Sequence, residues 1–226
     1  MAIKAFIFDF DGLILDTETP EFESWQAIFQ KYGFDLPFSE WKKCVGSSNL
    51  DFDPVTYLEQ LMGKPVNRKK TEHEKRILSL ARIVKLPPLP GVEAMITSAH
   101  ARGIRLAVAS SSSTEWVWLN LSRLGLHQYF DAICGGNEVP AVKPDPALYL
   151  KAMAELEVSP EESIVFEDSP NGITAAQRAG IFCVAVPNQI SIQMGVGHAD
   201  LVINSMADIN IDNLMKIHSQ RVERQQ

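Results

Sequence analysis

The sequence is poor in the features that mark several protein classes. Its 226 residues include three cysteines, Cys44, Cys134 and Cys183, which are odd in number, far apart and outside any CxxC or Cys/His spacing. That argues against a disulfide framework and against a zinc site, and leaves them as small core residues in a reducing compartment. Positive charge is in deficit: 21 Lys and Arg face 28 Asp and Glu, for a formal net charge of -7 and a pI near 5.3. This is the wrong field for a general nucleic-acid or anionic-membrane binder. No apolar run approaches the roughly 20 residues that span a bilayer. The opening "MAIKAFIFDFDG" holds one Lys and reaches carboxylates too soon for a signal peptide. Internal repeats and low-complexity tracts are also missing. A soluble cytoplasmic protein is expected, with 46% hydrophobic residues supplying a sizeable core.

What is present is an alternation. Ile3 to Phe8 are β-branched and aromatic with no polar period, which suits a strand buried on both faces of a parallel sheet. Similar runs follow in "IRLAVAS" (104–110), "SIVFED" (163–168) and "FCVAV" (182–186), with a further strand around Ala132 and Ile133 and another in "ADLVINS". Helical patterns lie between them, in "GVEAMITSAHARG", "TEWVWLNLSRLG", "PALYLKAMAELE" and "NGITAAQRAG", the last stopped by Gly180. Strands alternating with such helices predict βαβ units, and so an α/β fold with a doubly wound parallel sheet. From about Asp16 to Lys85 only helical patterns occur. Ile77, Leu80, Ala81 and Val84 there share one predicted helix face. The expected organisation is a core of residues 1–15 and 86–226 with a helical insert at 16–85, "LPPLPG" (86–91) forming a stiff return hinge. The polar tail "HSQRVERQQ" is expected to fray.

Ligands of open parallel sheets bind beyond the carboxyl ends of the strands, and the chemistry-bearing residues fall there. Asp9 and Asp11 end the first strand, Ser110 ends "RLAVAS", Glu167 and Asp168 end "SIVFED", and Lys143 sits in the proline-rich loop "AVKPDP". Carboxylates converging on one crevice repel one another and lose hydration, a conflict that a divalent cation removes. An oxygen set of Asp9, Asp168 and Glu167, with a backbone carbonyl and waters, suits Mg²⁺. A lysine and a hydroxyl beside that metal suit a phosphoryl group, whose transfer spreads charge over its equatorial oxygens. Asp9 then acts as a carboxylate nucleophile that forms an aspartyl-phosphate. Asp11, two residues on, serves as acid toward the leaving group and base toward water. Gly12 permits the turn between them.

Together, "DFDGLILDTE", Ser110 in "AVASSSS", Lys143 in "AVKPDP" and "FEDSPNGI" resemble the four signature motifs of the haloacid dehalogenase-like hydrolase superfamily, in the branch with a helical cap inserted after the first motif. The motifs stand in order over nearly the whole chain. The resemblance implies a Rossmann-like core with an inserted α-helical cap domain that closes over the site, Mg²⁺ dependence and a phospho-aspartate intermediate. Carried over by position, it makes Asp9 nucleophile and metal ligand, and Asp11 the acid/base with its backbone carbonyl on the metal. Ser110, with Ser111 beside it, and Lys143 would hold the phosphoryl group. Asp168 would be a metal ligand assisted by Glu167, and Thr17 would support the acid/base aspartate near the hinge.

The sub-branch most closely resembled contains β-phosphoglucomutase-like proteins and small sugar-phosphate phosphatases. The dehalogenases of the family lack an Asp where this chain has Asp11. The expected activity is therefore that of a phosphomonoesterase whose partner is a small phosphate ester, with no nucleic acid and no membrane. The alternative is a phosphohexomutase; "DTETPEFESW" and "KCVGSSNL" lack the cap histidine and arginine of that type. A catalytically inactive phosphate- or metal-binding regulator is the alternative from another class. In the insert, Glu21, Trp25, Lys43 and Asn49 suit substrate choice, with nothing to select among them. His73 and the charged run around it are expected to face solvent. Trp116 and Trp118 lie two apart on one helix and point in different directions. Core packing is their expected role, with contact to the cap or substrate the alternative for one of them.

Overall fold

The structure, a computed structural model, describes residues 2–43 and 52–225, the last four by backbone alone. Cys44 and Asn49 lie outside the described residues. The chain divides into two compact units, one formed by Met1–Leu15 with Pro87–Gln226 and the other by Asp16–Leu86.

The first unit is a parallel sheet flanked by helices. Its strands are β1 (Ala5–Phe8), β2 (Arg105–Ser110), β3 (Ala132–Gly135), β4 (Ser163–Glu167), β5 (Phe182–Ala185) and β6 (Leu201–Val202). They lie in the order β3-β2-β1-β4-β5-β6, with every pairing parallel. β1 is buried throughout and alternates between two covered faces. Ala5 and Ile7 join Ala107, Val165, Leu148 and Ile173 in one apolar layer. Phe6 and Phe8 turn the other way, where Phe8 stacks on Phe166 of β4 at 4.9 Å and Phe6 meets it edge-on at 5.3 Å. Burial on both faces is why the strand shows no polar period. Each such aromatic ring removed from water contributes about 2–3 kcal/mol.

The helices of the other unit are α1 (Glu18–Lys31), α2 (Phe38–Trp41), α3 (Pro54–Met62) and α4 (Arg68–Ile83). Those of the sheet unit are α5 (Val92–Ala101), α6 (Thr114–Arg123), α7 (Ala147–Glu155), α8 (Pro170–Arg178) and α9 (Ile211–Gln225). In α4 the expected apolar face is turned outward: Ile77, and Val84 just past the helix end, are more than half exposed. The face toward α1 carries Thr71, Lys75, Ser79 and Ile83 instead. Lys75 and Ser79 both donate to the Glu21 carboxylate at 2.5 Å, and a charge-assisted pair of this kind outweighs two modest apolar contacts. Lys75 also lies 5.7 Å from the centre of the buried Trp25 ring, Lys43 pairs with Glu40, and His73 is exposed. The C-terminal tail differs from expectation as well. It continues α9, because buried His218 packs edge-on against Phe182 and Arg221 pairs with Asp200 at 2.7 Å.

At the centre of the sheet β1 lies between β2 and β4, where the strand order reverses. The carboxyl ends of these three strands open on the crevice where such sheets bind ligands.

Candidate active site

Beyond β1 the chain makes a tight turn in which Leu13, Ile14 and Leu15 all donate to the Phe10 carbonyl and Gly12 donates to Leu15. Gly12 sits at φ +86°, and a Cβ there would come within 2.5 Å of Asp168 Oδ2 and 2.7 Å of Asn188 Nδ2. Only glycine meets both the backbone and the space requirement.

Asp9 is buried. Lys143 Nζ donates to its Oδ1 at 2.6 Å, and its Oδ2 has no hydrogen-bond partner among the described residues. The same ammonium donates to Glu167 Oε1 at 2.7 Å and lies 4.9 Å from the centre of the Tyr149 ring. Burial pushes Lys143 toward neutrality, but the carboxylates of Asp9 and Glu167 outweigh it and hold the ammonium well above its usual range. For Asp9 burial prevails: loss of hydration, with Glu167 and Asp11 adding to it and Lys143 opposing, lifts the carboxyl to about 7.

Glu167, fully buried at the end of β4, is saturated by its neighbours. Oε1 accepts from Lys143 and from the Tyr149 hydroxyl at 2.7 Å. Oε2 accepts from the backbone N–H groups of Asp168 and Ser169 at 3.0 Å and from the Ser169 hydroxyl at 3.1 Å. Ser169 caps α8 by accepting from Gly172 N–H, so Glu167 lies at the positive end of that helix. Gly172 is bare for a reason: its Cβ would stand 1.8 Å from Glu167 Oε1.

Asp168 is held by Asn188, whose Nδ2 donates to Asp168 Oδ2 at 2.8 Å and to the Gly12 carbonyl at 3.0 Å. The Asn188 Oδ1 is pinned in turn by the N–H groups of Ile190 and Ser191.

Asp11 meets the loop between β2 and α6. Its Oδ2 accepts from Ser112 Oγ at 2.6 Å and from Ser110 Oγ at 3.3 Å; its Oδ1 accepts from the indole N–H of Trp116 at 3.0 Å. Trp116 is therefore no simple core residue. Trp118 is 54% exposed and lies beside His127, because one helix cannot turn both rings the same way. Ser110 is buried and accepts the Ser112 N–H, Ser111 is exposed, and Ser113 caps α6. Thr17 falls in the helical unit, buried at the start of α1, where its carbonyl accepts from Glu21 N–H.

The structure thus brings Asp9, Lys143, Glu167 and Asp168 into one cluster and joins Asp11 to Ser110. Tyr149, Gly172 and Asn188 escape sequence reasoning, and Trp116, expected to pack in the core, bonds Asp11 instead. Two of the first three left a signal: Asn188 stands just past the end of β5, and Gly172 lies within "FEDSPNGI".

The donor set fits a divalent cation. Asp9, Glu167 and Asp168 offer carboxylate oxygens that all lie within 4.8 Å of one another. Among the described residues, Lys143 pairs with two of these three carboxylates, Asp9 and Glu167. All the available donors are oxygens, the chemistry Mg²⁺ prefers. With Glu167 engaged by five protein donors, Asp9 and Asp168 are the side chains that would contact an ion directly.

A doubly wound parallel sheet with a lysine-bridged acidic cluster at its switch point defines a Rossmann-like α/β enzyme core. The chain belongs to the haloacid dehalogenase-like hydrolase family, whose profile matches residues 6–186. It is 43% identical to the Bacillus subtilis protein YhcW over 213 residues, covering 94% of this chain and 96% of that one. It is 35% identical to the phosphorylated carbohydrates phosphatase of Thermotoga maritima over 183 residues, 79% and 82% of the two chains. It is 32% identical to the β-phosphoglucomutase of Bacillus subtilis over 219 residues, 94% of each. Among solved structures, a CbbY variant from Rhodobacter sphaeroides in complex with xylulose-(1,5)bisphosphate superimposes with a TM-score of 0.72 at 26% identity, over 92% of this chain and 96% of that one. Among the described residues, no helix is long and apolar enough to cross a membrane.

Proposed function

We propose that the protein is a Mg²⁺-dependent phosphomonoesterase acting on a small phosphorylated metabolite of the sugar-phosphate class through an aspartyl-phosphate on Asp9. The observation that carries this reading is the state of Asp9: one oxygen is fixed by Lys143 at 2.6 Å, and the other has no hydrogen-bond partner among the described residues. A carboxylate so oriented, at a strand end beside a buried cation, is arranged to attack phosphorus with its free oxygen.

In the first step Asp9 Oδ2 forms a bond to phosphorus while the ester P–O bond breaks, and the departing alkoxide takes a proton from Asp11. In the second, Asp11 accepts a proton from water, the water oxygen attacks the aspartyl-phosphate, and inorganic phosphate leaves as Asp9 is regenerated. Lys143 holds Asp9 in line and offsets charge growing on the phosphoryl oxygens, with Ser110 and the adjoining Ser111 as hydroxyl donors. Glu167 acts through Lys143 and the α8 terminus. Asp9, Asp168 and the Asp11 carbonyl would hold Mg²⁺, which when bound neutralises phosphoryl charge and orients the group for in-line attack. We read the helical unit Asp16–Leu86, with Thr17 at its start, as the cap that selects substrates.

The named activity of the Thermotoga relative supports the substrate class, and that of the β-phosphoglucomutase relative keeps the phosphohexomutase as second reading. Phosphate release from a panel of sugar phosphates, with and without Mg²⁺, tests the proposal. Metal-dependent release that vanishes in Asp9→Asn is the expected result. Net isomerisation of a hexose 1-phosphate without release would favour the mutase. A folded, Mg²⁺-binding protein with no turnover would favour the regulator.

A further inference from the structure

We propose that Trp116 is a positioning residue that decides which oxygen of Asp11 handles the proton moved in the reaction. The inference rests on the acid/base role given to Asp11 above and goes beyond it by assigning the two oxygens different duties.

The partners of the two oxygens differ in kind. Oδ1 faces the indole N–H of Trp116 at 3.0 Å, a group that can only donate. Oδ2 faces the hydroxyls of Ser112 at 2.6 Å and Ser110 at 3.3 Å, which rotate and can either donate or accept. A proton on Oδ1 would confront the indole hydrogen head-on. On Oδ2 it meets hydroxyls that can reverse. Trp116 therefore dedicates Oδ1 to anchoring and leaves Oδ2 as the working oxygen.

The support is firm. Trp116 lies in the first turn of α6, where its backbone N–H donates to the capping Ser113 hydroxyl. The loop ahead of it is tied down by Ser112 N–H on Ser110 Oγ at 3.0 Å and by Gly136 N–H on the Ser112 carbonyl at 2.7 Å. Trp118, on the same helix, is 54% exposed and bonds no carboxylate among the described residues, so the contact belongs to position 116 rather than to a general tryptophan face. Without the indole donor only the serine hydroxyls hold the Asp11 carboxyl, either oxygen can meet them, and proton delivery to the leaving oxygen loses its direction.

The test compares substrates that do and do not need that proton. In Trp116→Phe, kcat/KM for an alkyl phosphate such as glycerol 2-phosphate should fall about tenfold or more, as loss of acid catalysis does. For p-nitrophenyl phosphate, whose leaving group departs as a stable anion, kcat/KM should stay within about twofold. Replacing Trp116 by benzothienylalanine, which keeps the ring shape and removes only the N–H, should reproduce the split and guards against misfolding of the Phe variant. Equal losses on both substrates, or none on the alkyl ester, would overturn the inference while leaving the phosphatase reading intact. No phosphate release from the unmodified protein would overturn both.

Discussion

Lys143 and Asp9, 134 residues apart in sequence, meet in a buried ion pair of 2.6 Å that is the only bond the Asp9 side chain makes among the described residues. Removing the ammonium would strand Asp9 and Glu167 together out of water. Lys143→Met should therefore cost about 3–5 kcal/mol of stability, as expected for a broken buried pair, and lower kcat by about 10²–10³. Urea unfolding and steady-state kinetics check the two effects separately. A variant of unchanged stability would mean that the carboxylates find another counter-charge.

Gly172 and Glu167 make a second, steric prediction. A methyl group at 172 would overlap the Glu167 carboxyl carbon at 1.9 Å. Gly172→Ala should destabilise by about 1–3 kcal/mol, the usual range for overpacking, and reduce turnover by displacing Glu167 from Lys143. Truncating Glu167 makes room, so the same change in a Glu167→Ala background should cost markedly less. A double-mutant cycle showing simple additivity would contradict the contact.

Asn188 ties Asp168 to the Gly12 carbonyl, so Asn188→Ala should loosen the carboxylate proposed to hold Mg²⁺ without removing it. The expected result is a Mg²⁺ affinity weaker by about 10–100-fold, as for other outer-sphere changes, with kcat largely recovered at saturating metal. Calorimetric titration of the protein with Mg²⁺ measures this directly, and an unchanged affinity would remove Asn188 from the site.

The raised carboxyl of Asp9 makes metal stabilisation depend on pH. Without metal, the folded protein keeps the Asp9 proton up to about pH 7, whereas the unfolded chain gives it up near 4. Stability at this site is therefore greatest at low pH and is lost as pH rises through 7. Mg²⁺ supplies the missing positive charge, so the Mg²⁺-induced rise in Tm should be larger at pH 8 than at pH 6. Equal rises would mean that Asp9 is already ionised at pH 6 without metal.

Much of the sheet was legible because its strands are buried on both faces and punctuated by Gly and Pro, a signal confined to a few adjacent residues. Helix α4 misled for the opposite reason. Its apolar period at Ile77, Leu80, Ala81 and Val84 is real, yet Glu21 on α1 draws Lys75 and Ser79 inward, and the partner's charge cannot be read from α4 itself. The C-terminal helix likewise depends on Asp200 and Phe182, which anchor Arg221 and His218.

The sequence by itself determined the alternation of strands and helices and the arrival of Asp9, Ser110, Glu167 and Asp168 at strand ends, since each follows from local period and chain order. Only the tertiary structure decided which donor meets which oxygen: Lys143 bridging two carboxylates, Tyr149 and the α8 terminus saturating Glu167, Asn188 steadying Asp168, Trp116 on Asp11. A hydrogen bond forms or fails within a few tenths of an ångström. Distances that fine, between groups that lie on different elements and as far apart as the 134 residues from Asp9 to Lys143, are set by the packing of whole elements.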